Sequence, residues 1–163
     1  MNLTNILFGI AIGVGATLMI DAWALVLNRV FRIRSLNYCL LGRWVLHMPG
    51  GKIAHSSIAA AAAKRHECKV GWAAHYVIGV SFAVAFVALV SAGWLAQPTL
   101  LPALAFGMAT VLVPFLTLQP AFGLGVASSR TPHPSRARLK SVSTHTVFGL
   151  GLWLWATVLA RIA

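Results

Sequence analysis

Four long apolar stretches divide this chain, and its polar residues crowd between them. The first runs from about Leu3 to Leu27 and the second from about Gly71 to Leu95. The third runs from about Leu100 to Ala127 and the fourth from about Val142 to Ala160. Each reaches or approaches the ~20 residues that a helix needs to cross the hydrocarbon core of a bilayer. Backbone groups in lipid must be satisfied inside the segment, and a helix does this residue by residue. The pattern predicts an all-α protein, an integral membrane four-helix bundle, with one transmembrane domain over residues 1–163. The opening Met-Asn-Leu-Thr-Asn has no basic segment, and the apolar run after it is long for a signal peptide. That run reads as a retained first helix.

The connections carry structure of their own. In the first, residues 28–70, the stretch from Ser35 to Met48 mixes apolar and polar positions at near-helical spacing and stops at Pro49-Gly50-Gly51. It predicts a short amphipathic helix lying at the membrane interface, with Trp44 at headgroup depth. The alanine-rich stretch from Ser56 to Lys64 predicts a second short helix. In the third run, Pro114 and Pro120 remove the donors that the Thr110 and Leu116 carbonyls would take, so a kink is expected there. Kinked helices with freed carbonyls often border a cavity. Gly9, Gly13 and Gly15, then Gly149 and Gly151, allow close helix approach, within the bundle or in a homo-oligomer.

Charge orients the pattern. Lys and Arg number 13 against 2 acidic residues, a net charge of +11. Charged residues make up only 9% of the chain, against ~25% in soluble domains. Eight basic residues lie between the first and second runs: Arg29, Arg32, Arg34, Arg43, Lys52, Lys64, Arg65 and Lys69. Four lie between the third and fourth: Arg130, Arg136, Arg138 and Lys140. The turn Ala96-Gln97-Pro98-Thr99 has none, and Arg161 alone remains near the end. The positive-inside rule then places loops 28–70 and 128–141 in the cytosol and both termini outside. That is a multi-pass protein of a bacterial inner (cytoplasmic) membrane, with membrane lipids as partners through anionic headgroups at the cytosolic loops. Nucleic acid is excluded as a partner, because the basic residues flank apolar runs rather than forming a recognition surface. Cys39 and Cys68 fall in the first loop. In a reducing compartment they are expected as free thiols, and two are too few for a structural zinc site.

Candidate chemistry gathers at one depth. Asp21, His75, Gln119 and His145 each lie in a different apolar run, near its cytosolic end. A carboxylate in a bilayer is costly and normally faces the bundle or a wet cavity with a partner. The partners at that level are His75, His145 and the loop residues Arg43, His47 and His55. Three chemistries fit. One is a divalent transition metal, zinc or iron, on Asp21, His47, His55, His75 and His145. Haem is a variant of it, with His75 and His145 as axial ligands and Gly79 and Gly149 on the same faces. The second is metal-free acid–base work by Asp21, His75 and His145, either catalysis on a lipophilic substrate or proton-coupled transport. The third is a polar lock between helices, worth ~0.6 kcal/mol per hydrogen bond, in a non-catalytic membrane subunit; a small channel is the alternative to the transporter. Arg43, Gln119 and Arg130 are the candidate substrate-binding residues. Arg130, within Ser128-Ser129-Arg130-Thr131-Pro132, suits a phosphate or a lipid headgroup, though the same run also reads as a helix stop. No Walker loop or dinucleotide fingerprint is present, so ATP-driven and nicotinamide chemistry are excluded.

Several motifs also carry a resemblance. They are Gly15-Ala16-Thr17-Leu18-Met19-Ile20-Asp21-Ala22-Trp23, the segment from Ser35-Leu36-Asn37-Tyr38 to Gly42-Arg43-Trp44 and His47-Met48, and Gly71-Trp72-Ala73-Ala74-His75-Tyr76. Gln119-Pro120-Ala121 and Ser128-Ser129-Arg130-Thr131-Pro132 complete the set. Together they resemble an uncharacterised family of small four-helix bacterial inner-membrane proteins known as a domain of unknown function. The resemblance covers nearly the whole chain and implies a bacterial inner-membrane protein. It implies no activity, cofactor or site.

Overall fold

A computed structural model describes residues 2–162. Seven α-helices appear among them: α1 (Leu3–Arg29), α2 (Tyr38–His47), α3 (Glu67–Leu89), α4 (Ala92–Ala96), α5 (Leu100–Ala109), α6 (Gln119–Ala121) and α7 (Pro134–Ile162). No strand occurs among the described residues. Four helical stretches are long and apolar enough to cross a membrane: Leu3–Arg29, Glu67–Leu89, Leu100–Ala121 and Pro134–Ile162. Large apolar side chains such as Leu7, Leu18, Val77, Leu101 and Leu116 point outward on them. Helices that are apolar on every face suit a lipid surround. The fold class is therefore that of a helical membrane bundle.

The ends of these helices follow local chemistry. Asn2 caps α1 by accepting from the Asn5 N–H at 2.8 Å. Ser91 interrupts the second apolar run and caps α4, accepting from the Trp94 N–H. The third run changes character at its prolines. Pro114–Leu118 forms a π-helical turn, closed by the Gln119 N–H donating to the Pro114 carbonyl. The helical stretch ends at Ala121, short of the expected Ala127. Gly123, Gly125, Ala127 and Ser128 then all have positive φ, a left-handed stretch that no helix can continue.

The chain forms two compact units. The first comprises Met1–Ser35, Tyr76–Thr110 and Ser143–Ala163. Its core joins Ile12 and Ala16 to Ala83, Phe86, Val87, Trp94, Ala103, Phe148, Leu152 and Ala156. Small residues set the helix spacing here. A Cβ added to Gly13 would lie 2.7 Å from the Val80 Cα, and one on Gly151 would lie 2.7 Å from the Ala16 Cα. Gly107 and Gly149 meet backbone to backbone.

The second unit comprises Leu36–His75 and Val111–Val142. Leu41, Ile58 and Phe122 form its core. The α2 helix appears where the spacing predicted it, with Asn37 as N-cap. Ser56–Lys64 is a set of turns, which corrects the expected second helix. Its carbonyls are used sideways instead. The Arg43 guanidinium donates to the Ile58, Ala59 and Ala61 carbonyls, and His47 bonds the Ala62 carbonyl at 3.0 Å. Meanwhile the His55 and Ile58 N–H groups donate to the Ala121 and Phe122 carbonyls. Those bonds draw the backbone out of helical register, and they outweigh the propensity of alanine.

Cys39 and Cys68 are joined in a disulfide, which corrects the expectation of free thiols. Glycine contact is the cause. Gly42 sits with its α-hydrogen against the Glu67 carbonyl, and Gly71 with its own against the Tyr38 carbonyl. The first turns of α2 and α3 therefore touch through backbone, and the two sulfurs fall within bonding reach.

Candidate functional site

In the first unit, polar groups of the long apolar helices meet from one helix to another. The Tyr76 hydroxyl of α3 donates to the Asp21 carboxylate of α1 at 2.8 Å. Asp21 and Tyr76 are both half-buried. His145 of α7 meets Thr110, the residue that ends α5, with its Nδ1 at 2.7 Å from the hydroxyl oxygen. That hydroxyl donates its single proton to the Gly107 carbonyl at 2.5 Å. The contact with His145 must then run the other way, with Nδ1–H donating. The neutral ring thus carries its lone pair on Nε2, the nitrogen that acts as base or ligand. Trp23 Nε1 donates weakly to the Ser143 hydroxyl at 3.4 Å, a further α1–α7 link.

The second unit holds the other candidates. His75 stacks on Tyr38, ring centroids 4.1 Å apart and 23° from parallel, with the Trp72 ring edge-on at 5.9 Å. Arg43 is committed to structure. It makes a two-pronged ion pair with Glu67 at 2.7 and 2.8 Å, besides its three carbonyl contacts. The hydrogen bonds to Glu67 hold its guanidinium above the ordinary arginine range, outweighing its desolvation. Gln119 is buried and also engaged. Its carbonyl oxygen accepts from Ser128 at 2.9 Å, and its amide donates to Ser141 at 3.3 Å. Arg130 is exposed, and the backbone N–H groups around it are consumed within the turn. A bound anion would therefore meet the Arg130 side chain rather than a backbone cradle.

Because Ser128 is only 3% exposed, loss of Gln119 would strand its hydroxyl. Gln119→Leu is expected to lower stability by about 2 kcal/mol, the cost of two lost bonds and an unpaired buried group. Thermal unfolding of the detergent-purified variant measures this.

His47 and His55 lie ring to ring, with centroids 5.1 Å apart at 75°. Both His55 ring nitrogens are buried without a hydrogen-bond partner. Burial lowers the pKa of His55 from 6.5, and the charges of Lys52 and His47 lower it further, against an opposing effect of the Ala121 backbone carbonyl near the ring. The sign of the linkage follows. In the unfolded chain His55 protonates first as pH falls below 6.5, so folding stability is full above that pH. It is lost as pH falls from there through the lower folded value. His55→Leu is expected to flatten this acid loss and, at pH above 6.5, to gain about 1 kcal/mol by removing an unsatisfied buried group. Melting temperatures of both proteins across the acid range check it.

Within each unit, the residues expected as metal ligands form no metal centre among the described residues. No group of three or more His, Cys, Asp or Glu that could hold a metal ion occurs among the described residues. Asp21 and His145 belong to the first unit, and His47, His55 and His75 to the second.

Residues 10–159 match a family described as a protein of unknown function, DUF2938. The chain belongs to the DUF2938 family. Comparison with curated proteins and with solved structures gave no match. The matched range takes in all seven helices in whole or in part, together with both polar pairs.

In this DUF2938 member, the partners that sequence reading missed are mostly hydroxyls. Tyr76, Thr110, Ser128 and Ser141 hold the candidates in place. Hydroxyls are frequent and uncharged, so Tyr76 and Ser128 were noticed only inside longer motifs and Thr110 only for its carbonyl, none as a partner of these residues. Glu67, one of the chain's 2 acidic residues, was missed as well, although its rarity could have marked it.

Proposed function

We propose that this DUF2938 protein is a multi-pass protein of a bacterial inner membrane whose spanning helices exchange protons, with Asp21 as the carrying group and His145 as a second. The exchange carries protons across the membrane down their gradient, as a small channel does. One observation carries the reading. A carboxylate set in an apolar helix accepts a hydrogen bond from the Tyr76 hydroxyl of another spanning helix. Ionisable residues among membrane helices are retained at a cost and default to function. A phenol can follow a carboxylate through a protonation change, as donor to the anion or acceptor from the acid. The fixed tautomer of His145 adds a second basic site, at Nε2.

A structural lock is the second reading. It is favoured by the fact that both pairs join different helices. Interhelical bonds of this type average only ~0.6 kcal/mol, a small return for a carboxylate in lipid. A metal-dependent enzyme acting on a lipophilic substrate draws no support from the ligand geometry.

Proteoliposomes separate the readings. Under an imposed pH gradient, vesicles holding the wild-type protein are expected to dissipate the gradient faster than empty vesicles. Those holding Asp21→Asn are expected to stay at the leak rate. Equal, leak-level rates for both folded proteins would defeat the proposal.

A further inference from the structure

The disulfide occupies an unusual place, the meeting point of two helix N-termini. Cys39 is the second residue of α2, and its N–H donates to the capping Asn37 side chain at 3.0 Å. Cys68 is the second residue of α3. A helix N-terminus presents about half a positive charge, and thiolates placed there are stabilised. Lys64, Arg65, His66 and Lys69 flank Cys68 in the chain. The nearby anion, Glu67, is engaged by the Arg43 guanidinium through two hydrogen bonds. Both sulfurs would therefore leave readily as thiolates, and a disulfide whose reduced form is stabilised in this way is an oxidant.

Packing does not depend on the bond. The Gly42 and Gly71 contacts and the Arg43–Glu67 pair already hold α2 against α3. Access is also present, because Cys68 is exposed while Cys39 is half-buried. In a reducing compartment, where the basic loop charge would put this loop, disulfides are usually transient, catalytic or sensing.

We propose that Cys39–Cys68 is a thiol–disulfide exchange site that accepts two electrons from a thiol reductant. A reductant thiolate attacks the exposed Cys68 Sγ. A new S–S bond forms there, the Cys39–Cys68 bond breaks, and the electron pair leaves on Cys39 as thiolate. A second reductant thiol, once deprotonated, attacks the reductant sulfur of the mixed disulfide and releases Cys68 as thiolate. Overall the reductant's two thiols become a disulfide, two electrons pass to the cysteine pair, which is left as thiolates, and two protons pass to solvent. Opening the bond releases a loop of sequence separation 29 from one of its ties.

The test uses the full chain in detergent. Protein is equilibrated in glutathione buffers of graded ratio, quenched with acid and labelled with a mass-tagged maleimide. A reversible transition that exposes two thiols with helix content unchanged is expected. Lys64→Gln combined with Lys69→Gln is expected to move the midpoint toward more reducing buffer, because the thiolates lose stabilising charge. Transfer from glutathione assigns a small monothiol as the reductant, and transfer only from a protein dithiol assigns that class. Reduction by neither without denaturant, reduction that melts the helices, or two free thiols in the air-exposed protein would overturn the proposal.

Discussion

Gly71→Val is expected to destabilise the second unit by about 3 kcal/mol, the upper range for overpacking a close contact. A Cβ at Gly71 would drive into the Tyr38 carbonyl oxygen, and backbone cannot swing aside as a side chain can. The α2 helix must then lift from α3. That movement would also part Cys39 from Cys68 and lengthen the Arg43–Glu67 pair. Lower thermal stability should therefore come with incomplete disulfide formation, read by thiol labelling. Gly50→Ala is the control, because nothing lies within 4 Å of its added Cβ. It should melt with the wild type. If Gly71→Val also melts with the wild type, the helices do not meet at these glycines.

Asp21→Asn carries the larger functional effect. The asparagine side chain keeps the shape and one acceptor oxygen, so the Tyr76 hydroxyl retains a partner. It cannot take up a proton. Proton flux should therefore fall to the leak rate while the melting temperature stays close to the wild type. Under the structural lock the melting temperature also stays close to the wild type, because Asn keeps the hydrogen bond, but there is no flux to lose. Measuring both quantities on the same preparation separates the two.

Much of the fold was legible in the residues. Long apolar runs in lipid leave the backbone little choice but helix, so the four helical stretches long and apolar enough to cross a membrane follow from hydropathy. The α2 helix followed from spacing, and Pro49-Gly50-Gly51 marked its end. Where reading failed, tertiary bonds had overridden local preference. Ser56–Lys64 is alanine-rich, yet its carbonyls turn toward Arg43 and His47, and no propensity scale anticipates a guanidinium held elsewhere in the chain. The disulfide was hidden for a related reason. It depends on Gly42 and Gly71 letting two backbones touch, and neither glycine announces its partner.

The candidate site was legible by residue type and not by partner. Asp21 and His145 stood out because ionisable groups are scarce in apolar runs. Their partners in the first unit are the hydroxyls of Tyr76 and Thr110, which spacing along single helices could not select. Arg43 and Gln119 were expected to bind substrate. The structure shows both already engaged within their own unit, Arg43 with Glu67 and three carbonyls, Gln119 with Ser128 and Ser141.

A double-mutant cycle of Asp21→Asn and Tyr76→Phe, read as proton flux in proteoliposomes of equal protein density, tests the central claim most directly. Tyr76→Phe should change the flux in the wild-type background and change nothing once Asp21 is already Asn. If all four proteins carry the same flux while their melting temperatures show coupling, Asp21 and Tyr76 hold the helices together and do not carry protons.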